Sequence, residues 1–276
     1  MTLTRREVVD LLARHDLRPR KSLGQHFVVD PNTVRRIARL ADVGPGDRVL
    51  EIGAGLGSLT LALAETGAEV TAVEIDRHLV EMLREVVEPH GVTVVEGDAR
   101  SLDWGALLGT ERWRLVANLP YNVATPLVLD LLEDVAQLET MLVMVQEEVG
   151  GRLAARPGDD AYGAVSAKVA FWATAKVVGR VPPTVFHPQP NVDSVLVSIE
   201  RRTDLIATEE ARRKIFHLIE RGFATRRKML RRALAGEVPP EAFTVSGIRP
   251  EARAEELSID DWARLTAACT NEPSPS

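Results

Sequence analysis

Five short runs with β-branched, apolar centres constrain this chain most: DRVLEIGAG (47–55), AEVTAVEID (68–76), VTVVEGDA (92–99), WRLVANLP (113–120) and TMLVMVQEE (140–148). Between them lie stretches that read as helices, among them SLTLALAETG (58–67) and RHLVEMLREVVEPHG (77–91). Strands alternating with helices predict a parallel sheet covered by helices on both faces. Beyond Gln146 the order changes. EEVGGRLAAR and AYGAVSAKVAFWA read as helices, and AKVVGRVPP and SVLVSIERR as two strands suited to an antiparallel edge. From about Thr203 only helical periodicity remains. Ile215, Leu218, Ile219 and Phe223 recur at three-to-four spacing, then Leu230 and Leu234, with shorter pieces around 239–247 and 250–269. The expectation is an α/β, doubly wound domain over residues 1–202 and a small all-α domain over 203–276, ending in a frayed NEPSPS tail.

Composition narrows the class. No run approaches the eighteen or so apolar residues of a membrane span, and the charged MTLTRREVVD start lacks the apolar centre of a signal peptide. The single Cys269 rules out an internal disulfide and any multi-cysteine metal site. A cytoplasmic protein without membrane or metal is expected. The net charge of -6 hides a division: residues 212–232 carry nine Lys/Arg against one Asp/Glu, and residues 1–39 nine against four. Charge segregated in this way gives an acidic protein local basic surfaces that suit nucleic acid.

The segment LEIGAGLGSLT sets Gly53, Gly55 and Gly57 between the first strand and a helix start. Glycines there let the backbone turn sharply and approach a ligand, with helix N–H groups pointing at it. Nicotinamide, flavin and S-adenosylmethionine sites all use such a turn. Glu74 ends the second strand, where a carboxylate can accept hydrogen bonds from both ribose hydroxyls. Asp98, after the third strand, reaches the same sheet edge and suits an adenine amino group, whereas Asp76 reads as a helix N-cap. An adenosine-containing cofactor fits these features, and they do not select one.

The fourth strand delivers Asn-Leu-Pro-Tyr, residues 118–121, to that edge. The exocyclic amine of a nucleobase is a poor nucleophile because its lone pair is delocalised into the ring. If Asn118 Oδ1 and the Leu119 carbonyl accept its two N–H bonds, the nitrogen is drawn towards tetrahedral geometry. Pro120 fixes the turn. Tyr121 offers a stacking face worth roughly 1–3 kcal/mol. Methyl transfer from a positioned sulfonium then needs no strong base.

NLPYN, together with LEIGAGLGSLT, VEID, GDA, KSLGQHFVVD and FHPQPNVDSVLV, resembles the ribosomal RNA adenine N6,N6-dimethyltransferases from about Lys21 to Leu265. The likeness is strongest to the branch that acts on bacterial small subunits. It implies a Rossmann-like class I methyltransferase sheet, S-adenosylmethionine as donor, and four methyl groups placed on two adjacent adenosines in the 3′-terminal helix of small-subunit RNA. By motif, Gln25, His26, Val28, Gly53, Gly55, Glu74, Asp98 and Asn118 should line the cofactor site. Asn118, Leu119, Pro120, Tyr121 and Phe186 should handle the target base, with Phe186 sandwiching it against Tyr121. Val28 stands where the family often has Leu, and Ala54 where it usually has Pro.

Arg226, Arg227, Lys228, Arg231 and Arg232 crowd one expected helix and suit RNA phosphates, and Arg18, Arg20 and Lys21 offer a second contact. The expected partner is the small ribosomal subunit or an assembly intermediate, met by a monomer. Two further readings stay open: a large-subunit methyltransferase of the macrolide-resistance type, and an assembly or binding factor without catalysis. A nicotinamide oxidoreductase would leave NLPY unexplained.

Overall fold

The computed structural model describes residues 2–20, 23–204 and 206–270. Lys21 and the 271–276 tail lie outside them. Among the described residues nine strands form, in chain order: β1 (Phe27–Val28), β2 (Arg48–Ile52), β3 (Glu69–Glu74), β4 (Thr93–Glu96), β5 (Trp113–Asn118), β6 (Leu138–Gln146), β7 (Ala173–Val181), β8 (Phe186–His187) and β9 (Ser194–Arg201). Seven make one sheet in the order β4-β3-β2-β5-β6-β9-β7. The first five are parallel, and β9 runs antiparallel to β6, from Gln146 facing Ser194 to Thr140 facing Glu200. The five apolar runs are β2 to β6, and the two later strands close the sheet at one edge.

Parallel strands are covered on both faces, so their residues are apolar without alternation. Leu115, Val116 and Ala117 of β5 are all buried, as are Val49, Leu50 and Ile52 of β2. The strand order reverses at β2, which has β3 on one side and β5 on the other. Ligands of such sheets bind outside the carboxyl ends of the strands at this reversal.

Helices α1 (Arg5–Arg14), α2 (Pro31–Ala41), α3 (Ser58–Ala64), α4 (Arg77–Val87), α5 (Trp104–Leu108) and α6 (Ala124–Asp134) complete the first unit. Local chemistry starts them. Thr4 and Glu7 form a reciprocal capping box on α1, Asp30 caps α2 ahead of Pro31, and Asp76 caps α4. Val8, Leu11 and Leu12 of α1 bury against Phe27, Leu56, Leu79 and Met82. The Arg5 guanidinium donates to the Thr184 and Phe186 carbonyls at 2.8 and 3.2 Å. The short β1–β8 pair is antiparallel, with Val28 opposite Phe186.

The chain divides into two compact units. One draws on residues up to Gly150 and on Lys176–Arg201, the other on Gly151–Ala175 and residues from Arg202 onward. Helix α7 (Glu147–Ala154) spans the first boundary. The division departs from the expected 1–202 and 203–276, because residues 151–175 group with the helical unit. The reason is burial. On α8 (Ala164–Trp172) and just before it, Tyr162, Ala167 and Phe171 share a core with Ile215, Ile219, Phe243 and Trp262, and the Tyr162 hydroxyl donates to the Leu257 carbonyl at 2.8 Å.

The long basic helix expected through Leu234 is also broken. Helix α9 (Glu209–Ala224) ends where Thr225 takes φ -129° and ψ 58°. A turn follows, closed by Lys228 N–H on the Thr225 carbonyl, and α10 (Leu230–Ala233) begins anew. Long-range backbone bonds override the local periodicity: Leu230 N–H donates to Ala252 and Arg231 N–H to Pro250. Helices α11 (Pro240–Ser246) and α12 (Ile259–Thr270) finish the unit.

Candidate active site

At the carboxyl ends of β2 and β5 the glycine turn is pinned to its neighbour. Gly53 and Ala54 N–H groups both donate to the Val73 carbonyl, at 2.8 and 3.3 Å. Gly55, at φ +59°, donates to Glu74 Oε2 at 2.8 Å, and a Cβ there would lie 2.9 Å from the Phe27 ring. Gly57, at φ +86°, leads into α3, and its Cβ would lie 2.6 Å from Val87 Cγ1. Gly57→Ala therefore combines left-handed strain with overpacking and should cost about 2–4 kcal/mol. A urea midpoint lowered at unchanged m-value would bear this out; an unchanged midpoint would contradict it.

Glu74 is buried, and its Oε1 accepts from Asp76 N–H at 2.9 Å. Burial pushes its carboxyl above the usual range, and the Asp76 and Gly55 N–H bonds offset part of this. Each oxygen keeps a lone pair for a diol. Two cavities adjoin at this edge and share Leu23, Gly53, Ile75 and Pro120. Gln25, His26, Val28, Gly53, Gly55, Glu74 and Asn118 line the first, and Asp98 lines the second. The eight residues expected at a cofactor site are thus gathered along one cleft.

Their roles differ from one another. Gln25 has both ends of its amide occupied: Nε2 donates to Asp76 Oδ2 at 3.0 Å, and Oε1 accepts from Arg20 N–H at 2.7 Å. Asp76 also lies 3.6 Å from the Arg20 guanidinium, so the residue read as a helix cap doubles as the anchor of the segment before β1. Arg20 is engaged there, while Arg18 is exposed.

Asn118 Nδ2 donates to the His26 carbonyl at 3.0 Å. A carbonyl only accepts, so the amide nitrogen must face it, and Oδ1 is turned the other way. Leu119 N–H is fixed on the Met144 carbonyl, and Pro120 begins a turn closed by Val123 N–H. The Tyr121 hydroxyl lies 2.8 Å from the buried Ser194 Oγ. Burial raises the Tyr121 phenol, and Ser194 offsets part of that, which keeps the ring neutral. Leu119, Pro120 and Tyr121 all line the first cavity.

Phe186 does not. It is fully buried in the core with Val28, Ile37 and Leu196 and lines neither cavity. Its backbone pairing with Val28 draws the ring inward, so the expected base sandwich with Tyr121 is not formed here. The ring stacked on Tyr121 is His26, with centroids 5.3 Å apart and planes 25° apart. Its Nδ1 lies 2.8 Å from the Pro188 carbonyl, which places a proton on that nitrogen.

Three residues gain importance beyond the sequence reading. Ile75 is half exposed and borders both cavities, an apolar ledge for a planar base. Ser194 positions Tyr121. Glu51 is 1% exposed, lines the first cavity and leaves Oε2 without a hydrogen-bond partner; Ser58 Oγ, on the same wall, is also unpartnered. An acid inside the doubly covered strand VLEI was the available signal, since buried carboxyls are rare unless paired. Orphaned polar atoms beside the polar side chains of Gln25, His26, Glu74, Asn118 and Tyr121 fit a ligand with a polar, charged end.

In the helical unit the basic residues fall into two groups. Arg226 pairs with Glu255 at 2.6 Å and donates to the Asp160 carbonyl at 2.8 Å, and Arg231 pairs with Glu251 at 3.2 Å. Among the described residues, Arg227, Lys228 and Arg232 have no ion-pair partner. No group of three or more His, Cys, Asp or Glu side chains among the described residues is placed to hold a metal ion.

A glycine turn tied to an acid on the next strand, with Asn-Leu-Pro-Tyr at the strand reversal, defines an α/β methyltransferase that acts on an amine. The model of the family described as ribosomal RNA adenine dimethylase matches residues 17–271, and the chain belongs to that family. It is 51% identical over 267 residues to ribosomal RNA small subunit methyltransferase A of Cutibacterium acnes, covering 91% of this chain and 89% of the relative. With the protein of the same name from Kineococcus radiotolerans it shares 48% over 275 residues, covering 96% and 91%. Among solved structures, the 23S rRNA methyltransferase ErmE is similar at TM-score 0.71 and 26% identity, covering 89% of this chain and 100% of that one. A dimethyladenosine transferase from Plasmodium falciparum, at TM-score 0.73, 23% identity and coverage of 87% and 96%, shares the fold.

Proposed function

We propose that this protein transfers methyl groups from S-adenosylmethionine to N6 of two adjacent adenosines in the 3′-terminal helix of small-subunit ribosomal RNA, as a cytoplasmic step of subunit biogenesis. The observation that carries this reading is the Asn118 amide, oriented by the His26 carbonyl beside the glycine turn. S-adenosylmethionine supplies an electrophilic methyl group on a sulfonium. Glu74 would hold the ribose diol, Ile75 the adenine face and Asp98 its amino group. Asn118 Oδ1 and the Leu119 carbonyl would accept the two N–H bonds of the target amine and localise its lone pair. Tyr121, fixed through Ser194, would support the flipped base, which must leave its stack to reach the cleft. Positioning supplies most of the rate.

The helical unit would hold RNA phosphates through Arg227, Lys228 and Arg232, leaving Arg226 and Arg231 to brace the unit itself. Changing the first three together to Ala should weaken subunit binding and lower the slope of log affinity against log salt by about two. Cofactor affinity should stay as it was; its collapse would make the patch structural.

The test of function is transfer of labelled methyl to unmethylated small and large ribosomal subunits, followed by nucleoside analysis. N6,N6-dimethyladenosine confined to small-subunit RNA is expected. Label confined to large-subunit RNA would move the protein to the resistance-type branch. Cofactor binding without transfer to either would leave an assembly factor.

A further inference from the structure

The helical unit holds a cavity of about 310 Å³ that the proposed chemistry leaves unused. Its walls come from the end of α7, the loop that follows it, α8, and the start of α12, all within that unit. Most of the lining is apolar, with Leu153, Pro157, Val169, Ala170, Ala173 and Ile259 among it. The charged groups are Arg156 and Arg202, and among the described residues no Asp or Glu lines the cavity.

That charge balance sets the cavity apart within its unit. Arg213, Arg221, Arg226, Arg231, Arg249 and Arg264 each lie within ion-pair distance of a carboxylate. Among the described residues Arg156 has no such partner, and Arg202 has only the exposed Asp204, 3.5 Å away. The acids nearby are committed elsewhere. Asp159 Oδ2 accepts from the Arg156 N–H at 2.8 Å, and Asp261 holds Ser258 and Arg264. The loop bearing Arg156 is fixed as well: Gly158 N–H donates to the Glu255 carbonyl at 3.0 Å, and the Arg226 guanidinium reaches the Asp160 carbonyl. Arg202 N–H donates to the Trp172 carbonyl at 2.8 Å. Both cations are therefore presented from anchored backbone.

An apolar cavity with two guanidinium groups and no lining carboxylate suits an anion joined to a flat, weakly polar body. The guanidinium fork matches phosphate oxygens, and apolar walls accept the face of a base. We infer that this cavity takes one unpaired nucleotide of an RNA strand, its phosphate on Arg156 and Arg202 and its base against the apolar wall. The inference rests on the RNA-substrate reading above, and it adds a contact of a different kind from the Arg227, Lys228 and Arg232 patch. Phosphate contacts alone do not tell a single strand from a duplex, whereas a cavity that must receive a base does.

Fluorescence anisotropy of labelled single-stranded and duplex RNA oligonucleotides, titrated with the full chain at several salt concentrations, tests this. Arg156→Gln with Arg202→Gln should weaken single-strand binding roughly tenfold and lower the slope of log affinity against log salt by about 1.4, at about 0.7 for each cation. Ala170→Leu, at a half-buried wall position, and Thr174→Leu, at an exposed one that leaves the fold intact, should weaken the same binding with the slope unchanged. Duplex binding should hold steady in all three variants, and the pattern should persist with Arg227, Lys228 and Arg232 changed to Ala. A loss from the arginine changes but from neither leucine would overturn the inference and leave a charged surface only. Equal competition by hexaglutamate would overturn it in favour of an acidic protein segment. Free adenosine monophosphate binding as tightly as the strand would replace the strand with a free nucleotide. RNA binding in the expected pattern, without methyl transfer to either subunit, would overturn the proposed function and leave the cavity assignment standing.

Discussion

Asn118→Ala should slow methyl transfer by roughly a hundredfold to a thousandfold, as expected for the loss of one preorganised polar group at a reacting centre. The side chain has two jobs with opposite ends. Nδ2 ties β5 to the His26 carbonyl, and in the proposed mechanism Oδ1 would accept from the target amine. Alanine removes both. Asn118→Asp would retain an acceptor but offer the His26 carbonyl no donor, so it should fail as well. Single-turnover transfer to unmethylated small subunits, with cofactor affinity measured in parallel, separates chemistry from binding. Near-normal turnover in Asn118→Ala would remove amine activation from the mechanism.

Glu51 should dominate the pH dependence of stability of the ligand-free protein. Its carboxyl has an ordinary value of 4.5 and is raised to about 8 in the fold. Between those limits the unfolded chain has released this proton and the folded chain still holds it. The folded state then binds more protons, so stability falls as pH rises, by about 1.4 kcal/mol per unit for this one group. Across the window the loss is on the order of 4 kcal/mol. Below pH 4.5 both states are protonated and the residue contributes no slope. Glu51→Gln removes the contribution, while the raised carboxyl of Glu74 leaves a residual slope of the same sign. Urea unfolding at pH 5, 6, 7 and 8 compares the two; parallel profiles would show that Glu51 does not hold its proton in the native state.

What the sequence made legible was whatever local pattern decides. The five β-branched runs became β2 to β6 because a strand buried on both faces must be apolar along its length. Gly55 and Gly57 stood out because only glycine meets their positive φ and close neighbours. What stayed hidden depends on residues far apart in the chain. Phe186 before a proline-rich loop suits a base clamp or a core position equally well, and the pairing of its backbone with Val28 decides for the core. The basic stretch 212–232 has unbroken helical periodicity, yet Ala252 and Pro250 capture the backbone of Leu230 and Arg231 and end the helix early. Residues 151–175 fall between strands in sequence, and only the burial of Tyr162 and Phe171 assigns them to the helical unit. Glu51 was visible in VLEI, but the enclosure that leaves its Oε2 without a partner comes from residues far apart in the chain.

Asp76 ties the start of α4 and the segment carrying Arg20 and Gln25 to one carboxylate. Helix starts and chain arms ordinarily fray independently, each at its own small free energy. Here neither can loosen without disturbing the partner that holds the other. The first turn of α4 and the strip of chain bordering the cleft should therefore open as one cooperative event, and their amide hydrogens should exchange at a common rate.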